Sequence, residues 1–298
     1  MEVQLSILKS FLLDLISGRK PASDMSQAHQ TLAAVDQRFD IYHDLHHHQL
    51  VDQEDANRRS AHIVLSGLFG LYRPKSILDV GCGIGTWLAC ARDLGVQDVF
   101  GIDGEWLDIK LAKVPANFLA TLDLEQSFDL GRRFDLVICL EVAEHLSRDA
   151  AVRFIESLTS HADVILFSAA IPFQGGHHHV NEQFPGYWKK IFQARGFQPV
   201  DCIRRTIWDD ADVMWWLRQN IMIFAKPEFA TGGGPFAGRV DFGPLSIVHP
   251  DVYMARVGFA QKLLEEHNKL LEVLGSGKPV TVERGANGEL RVYCKDQQ

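Results

Sequence analysis

Residues 77–87 read Ile-Leu-Asp-Val-Gly-Cys-Gly-Ile-Gly-Thr-Trp, an apolar run that breaks into three glycines at alternate positions. Few folds accommodate such a segment. The run Ile77–Val80 has no polar face to give to water except at Asp79, so it predicts a strand covered on both sides. Gly81, Gly83 and Gly85 permit tight turning and let a ligand approach bare main chain, with the N-terminus of the next helix just beyond. A dinucleotide loop is the obvious competitor. The spacing here is GxGxG with an acid two residues before it, rather than GxGxxG.

The surrounding sequence repeats the theme. From Pro74 onward, short apolar runs alternate with helical segments, the pattern of an α/β parallel sheet covered on both faces. Strands are predicted at Ile77–Val80, Val99–Asp103, near Phe118–Ala120, Phe134–Leu140, Val164–Ala169, Gln198–Ile203 and Ile221–Phe224, with helices at Trp87–Leu94, Ser147–Leu158 and Tyr187–Ala194. Leu5, Leu8, Phe11, Leu12, Leu15 and Ile16 form a helical stripe near the start, which packs on its own domain, on a second copy or on a membrane surface. Three parts are expected: a helical N-terminal extension or lid over 1–60, a cofactor-binding domain over 61–226, and an appendage over 227–298. The appendage comprises a Gly/Pro-rich loop, a helix over Asp251–Leu274 and a hairpin turning at Gly285–Gly288.

Composition narrows the partners. Lys and Arg number 30 against 38 Asp and Glu, a formal charge of −8, which disfavours a nucleic-acid substrate. The longest apolar stretch outside the N-terminus, Val164–Phe173, is about half of the roughly 18 residues that span a bilayer. With no secretory-signal pattern and five cysteines lacking a CxxC pair, a soluble, cytoplasmic protein with reduced thiols is expected.

Two further acids sharpen the reading. Asp103 ends the second strand, where a carboxylate can bind both hydroxyls of a ribose, and Asp123-Leu124 follows the third. In an open sheet these loops converge with the glycines at one carboxyl edge. The segments LDVGCGIGTW, VFGIDG, TLDL and FDLVICLEVAEHL stand in the order and spacing of class I S-adenosylmethionine-dependent methyltransferases, which the chain resembles over roughly 60–226. The resemblance implies a Rossmann-like seven-stranded sheet with a reversed last hairpin. It also implies that Gly81, Gly83 and Gly85 wrap the methionine portion of the cofactor, Asp103 takes the ribose, Gly104 borders the adenine, and Asp123 and Leu124 meet its rim. Asp79 and Glu141 are counted with this cofactor-binding set.

Methyl transfer from a sulfonium is an in-line displacement, so the protein must chiefly align the nucleophile and weaken its proton. Acids and imidazoles concentrate after the fourth and fifth strands, in Glu141-Val-Ala-Glu144-His145 and in His177-His178-His179-Val-Asn-Glu182. They suit either a divalent metal or a metal-free histidine base, His145, His178 or His179. Metal-dependent O-methyltransferases carry a similar Glu-x-x-Glu-His; that resemblance implies Glu141, Glu144, His145 and His179 as ligands. Trp208–Asn220 offers either a sugar-binding aromatic surface or a core-closing segment, and Tyr42–His48 either a lid or a solvated stretch.

The whole ordering resembles a bacterial group of methyltransferases associated with sugar and polysaccharide modification. It implies O-methylation of a sugar, nucleotide-sugar or other polyhydroxylated small molecule. RNA ribose 2′-O-methylation, a noncatalytic cofactor-binding module and a nicotinamide dehydrogenase are the rivals, and the terminal helices suit a homodimer.

Overall fold

The computed structural model describes residues 53–176, 178–240, 244–275, 280–284 and 290–294. The Leu5–Ile16 stripe, the Tyr42–His48 segment, His177 and the Gly285–Gly288 turn lie outside them. The chain divides into two compact units, Met1–Ile247 and Val248–Gln298.

The first unit contains α1 (Glu54–Leu71), β1 (Ser76–Val80), α2 (Thr86–Asp93), β2 (Asp98–Asp103), β3 (Leu119–Thr121), β4 (Leu136–Leu140), α3 (Ala151–His161), β5 (Val164–Ser168), α4 (Pro185–Ala194), β6 (Gln198–Val200), α5 (Ile203–Ile207), α6 (Trp215–Asn220), β7 (Met222–Ala225) and α7 (Pro227–Ala230). The strands form the expected seven-stranded sheet in the order β3-β2-β1-β4-β5-β7-β6, with β7 antiparallel to both neighbours. Strand order reverses between β1 and β4, the place where open α/β sheets leave a crevice at their carboxyl edge.

The apolar runs have no polar alternation because both faces are covered. Ile77 joins one core with Leu65 and Leu68 of α1 and Leu88 of α2, while Leu78 joins the other with Phe154 and Leu158 of α3 and Phe192 of α4. Period-two geometry sends neighbouring side chains to opposite faces, and here each meets a helix. On α1, Asn57 accepts from the Trp87 indole at 3.1 Å and Glu54 accepts from the Thr86 hydroxyl at 2.7 Å, tying that helix to the first turn of α2.

Several boundaries differ from the sequence reading by a few residues, two of them with a local cause. The helix expected from Ser147 begins at Ala151, after a turn in which the Ala150 amide donates to the Ser147 hydroxyl oxygen at 3.3 Å while Glu125 accepts the Ser147 amide at 2.6 Å and its hydroxyl at 2.8 Å. The strand expected to reach Ile203 stops at Val200, where buried Asp201 turns to pair with buried Arg204 of α5. Arg204 also donates to the carbonyls of Gln219 and Leu245 at 3.3 and 3.1 Å.

The second unit contains α8 (Pro250–Gly275) and the antiparallel hairpin β8 (Val280–Arg284) and β9 (Leu290–Cys294), as the sequence pattern predicts. Among the described residues, no helix is long and apolar enough to cross a membrane. Cys82, Cys90, Cys139 and Cys202 are free thiols.

Candidate active site

The glycine loop leaves β1 in a left-handed turn, with φ of 78°, 53° and 81° at Gly81, Gly83 and Gly85. At Gly81 the need for glycine is twofold, since a Cβ there would lie 2.2 Å from Cγ2 of Val142 in the loop after β4. That close approach brings the glycine loop against the Glu141–His145 segment.

Two carboxylates border the loop. Asp103, at the end of β2, accepts from the Gly83 amide at 2.5 Å and the Gly104 amide at 2.7 Å. Burial raises its pKa, and these amides oppose the rise. Asp79 is also buried, and one of its oxygens has no hydrogen-bond partner. Burial, then the Asp103 charge, pushes its pKa well above the ordinary range. An unsatisfied buried carboxyl beside an open main-chain loop fits a ligand that brings its own donor, as a sulfonium cofactor's ammonium would. After β3, Leu122 donates its amide to the Asp103 carbonyl at 2.8 Å. Asp123 is exposed and accepts from the Glu125 amide at 2.9 Å, while Leu124 is buried in the core.

The acids and imidazoles gather at the ends of β4 and β5. Glu144 accepts the amides of Val180 and Asn181 on its carbonyl at 2.8 and 3.0 Å, lacing the two loops together. Glu144, His145 and His179 thereby offer ligand atoms within 4.8 Å of one another. The two imidazoles meet edge to face with centroids 4.9 Å apart. His179 donates from Nδ1 to Glu182 at 2.9 Å, and Glu182 also accepts the Phe173 and Gly175 amides at 2.7 and 3.0 Å. Burial would raise the Glu182 pKa, but the His179 bond and the two amides bring it below the ordinary value. Gly176 makes room for the ring, since a Cβ there would fall 2.2 Å from Nε2 of His179.

The Glu144 carboxylate is fully buried with neither oxygen hydrogen-bonded, and burial followed by the Glu141 charge raises its pKa well above normal. A buried carboxyl in that state either holds its proton or neutralises a cation, and the adjacent imidazoles make this set suitable for a divalent metal. Glu141 stands outside the cluster. Its backbone is left-handed, with φ 55°, and its carboxylate accepts from Asn220 at 3.0 and 3.2 Å and from Gln174 at 3.1 Å. His178 is exposed, with φ 56°.

Sequence reasoning missed the supports. Asn220 reaches Glu141 from the end of α6, 79 residues away, so no local pattern announces it. In the same segment Trp215 and Trp216 are half-buried and meet at 5.3 Å, and Trp216 packs against the core.

Fold, glycine loop and acids define a class I S-adenosylmethionine-dependent methyltransferase. A methyltransferase-domain family model matches residues 52–201, half of the chain, and the protein belongs to that family. No curated protein matches it. Among solved structures, it is similar to magnesium protoporphyrin IX methyltransferase from Synechocystis PCC 6803 with S-adenosylhomocysteine bound, at 20% identity and TM-score 0.43 over 59% of this chain and 87% of that one. The sugar N-methyltransferase KedS8 from Streptoalloteichus sp ATCC 53650 gives 19%, 0.43, 56% and 87%. The methyltransferase domain of bacterial CtHen1-C gives 16%, 0.44, 56% and 97%.

Proposed function

We propose that the enzyme is an O-methyltransferase acting on a hydroxyl of a sugar, nucleotide-sugar or other polyhydroxylated small molecule. S-adenosylmethionine supplies an already activated methyl group. On this reading Gly81, Gly83 and Gly85 line the methionine portion, Asp79 meets its ammonium, Asp103 receives the ribose hydroxyls, and Gly104, Asp123 and Leu124 border the base. The β2–β3 side of the sheet takes the nucleoside, and the β4–β5 side takes the acceptor.

The observation that carries the chemistry is the convergence of Glu144, His145 and His179 at the acceptor side. These three residues would hold a divalent cation, which lowers the pKa of an acceptor oxygen. The Glu182 carboxylate fixes the Nδ1 side of His179, leaving Nε2 for the cation or for a proton. Asn220 and Gln174 hold Glu141 beside the cluster. The half-buried Trp215, with the polar Trp208–Asn220 segment, suits the apolar face and hydroxyls of a sugar ring.

The test is transfer of a labelled methyl group to a panel of free sugars, nucleotide sugars, polysaccharide fragments, amino sugars and an RNA duplex. Label recovered as a methyl ether on a sugar hydroxyl supports the proposal. Label recovered on an amine, or on RNA ribose in preference to every small acceptor, contradicts it.

A further inference from the structure

Gly104, expected to border the adenine, carries a side chain on its surface. The six-membered ring of Trp106 lies over it so closely that a Cβ on Gly104 would fall 2.4 to 2.7 Å from three ring atoms. The same indole lies beside the Asp103 carboxylate and helps to hold its pKa down. Asp103 accepts the Gly83 and Gly104 amides, and the Trp106 indole stands beside them. Trp106 itself is only half-buried, in the segment between β2 and the short 3-10 turn Ile109–Leu111, so the ring has solvent to move into.

We propose that Trp106 occupies the nucleoside subsite before the cofactor binds, its ring on Gly104 beside Asp103, and is displaced when the cofactor binds. The inference rests on the assignment of Asp103 and Gly104 to the ribose and base. Apolar ring surface packed on Gly104 covers main chain that a nucleoside base would otherwise cover, so the two compete for one place. Displacing it makes the binding-competent state a fraction of the population, so measured affinity falls by that fraction. Trp106 thereby sets cofactor affinity and slows association without adding a contact to the bound state.

Calorimetry with S-adenosylhomocysteine on the full chain tests this. Trp106→Ala removes the competing ring and should tighten binding by roughly tenfold, mostly through faster association. Trp106→Phe keeps a smaller ring over Gly104 and should fall between Ala and wild type. Intrinsic fluorescence reads the displacement separately: S-adenosylhomocysteine should change the emission of the wild type, and that change should vanish in Trp106→Phe. Weaker or unchanged affinity in Trp106→Ala, or an identical emission change in Trp106→Phe, would overturn the proposal while leaving the Asp103 assignment standing. Failure of the wild type to bind S-adenosylhomocysteine would overturn both.

Discussion

The ring of His179 stands perpendicular to that of His145, centroids 4.9 Å apart, although one follows β4 and the other follows β5. The Glu144 carbonyl makes this possible by accepting the Val180 and Asn181 amides. His145→Ala and His179→Ala should each reduce turnover by at least about a hundredfold while S-adenosylhomocysteine still binds. Chelation should also abolish turnover, with recovery on adding Mn2+. Activity that withstands chelation would instead assign the pair to proton transfer alone.

Glu182 orients His179 and staples the loop through the Phe173 and Gly175 amides. Glu182→Gln preserves size but removes the anionic acceptor. Turnover should fall by roughly 10- to 100-fold with cofactor affinity unchanged, as kcat and S-adenosylhomocysteine calorimetry will show.

Asp79 predicts a pH effect. Its folded pKa lies well above the ordinary 3.8, first because of burial and then because of Asp103. Its proton is retained on folding, so the stability it contributes is full below the unfolded value and is lost as pH rises through the raised folded value. Asp79→Asn is neutral throughout. Thermal melts of the cofactor-free protein should therefore show the variant gaining on wild type as pH increases from about 4. A constant difference across that range would show that Asp79 is ionised in the folded state.

Much of this was legible in the chain. The strands announce themselves because Ile77 and Leu78, and their counterparts in β4 and β5, are apolar on both faces. The glycine turn is visible because it needs left-handed φ at alternating positions. The supports are not visible, since they depend on which loops meet. Asn220 at Glu141, Trp106 over Gly104 and Arg204 against Asp201 involve ordinary residue types at unremarkable spacings. Ser147 does open the turn into α3, its oxygen accepting the Ala150 amide, but the regular helix begins only at Ala151, and the tie to Glu125, from the loop after β3, has no local signal.

The Asp201–Arg204 pair should be expensive to break. Arg204→Ala leaves a buried carboxylate alone and should cost about 3–5 kcal/mol, whereas the double change Asp201→Asn with Arg204→Met should cost clearly less. Chemical denaturation of the two variants measures the difference.

Gly81→Ala combines a left-handed backbone with a clash against Val142. A loss of about 2–5 kcal/mol is expected by denaturation, with cofactor binding weakened alongside. Adding Val142→Ala should recover part of the loss, because it removes the clash but not the backbone strain.

On the proposed reading, the glycine loop and Asp103 together hold S-adenosylmethionine. Titration calorimetry of S-adenosylmethionine into the wild type and Asp103→Ala tests it directly. One site per chain in the wild type, weakened at least about tenfold by the substitution, is the predicted result. No binding by the folded wild type, or equal affinity in the two proteins, would contradict it.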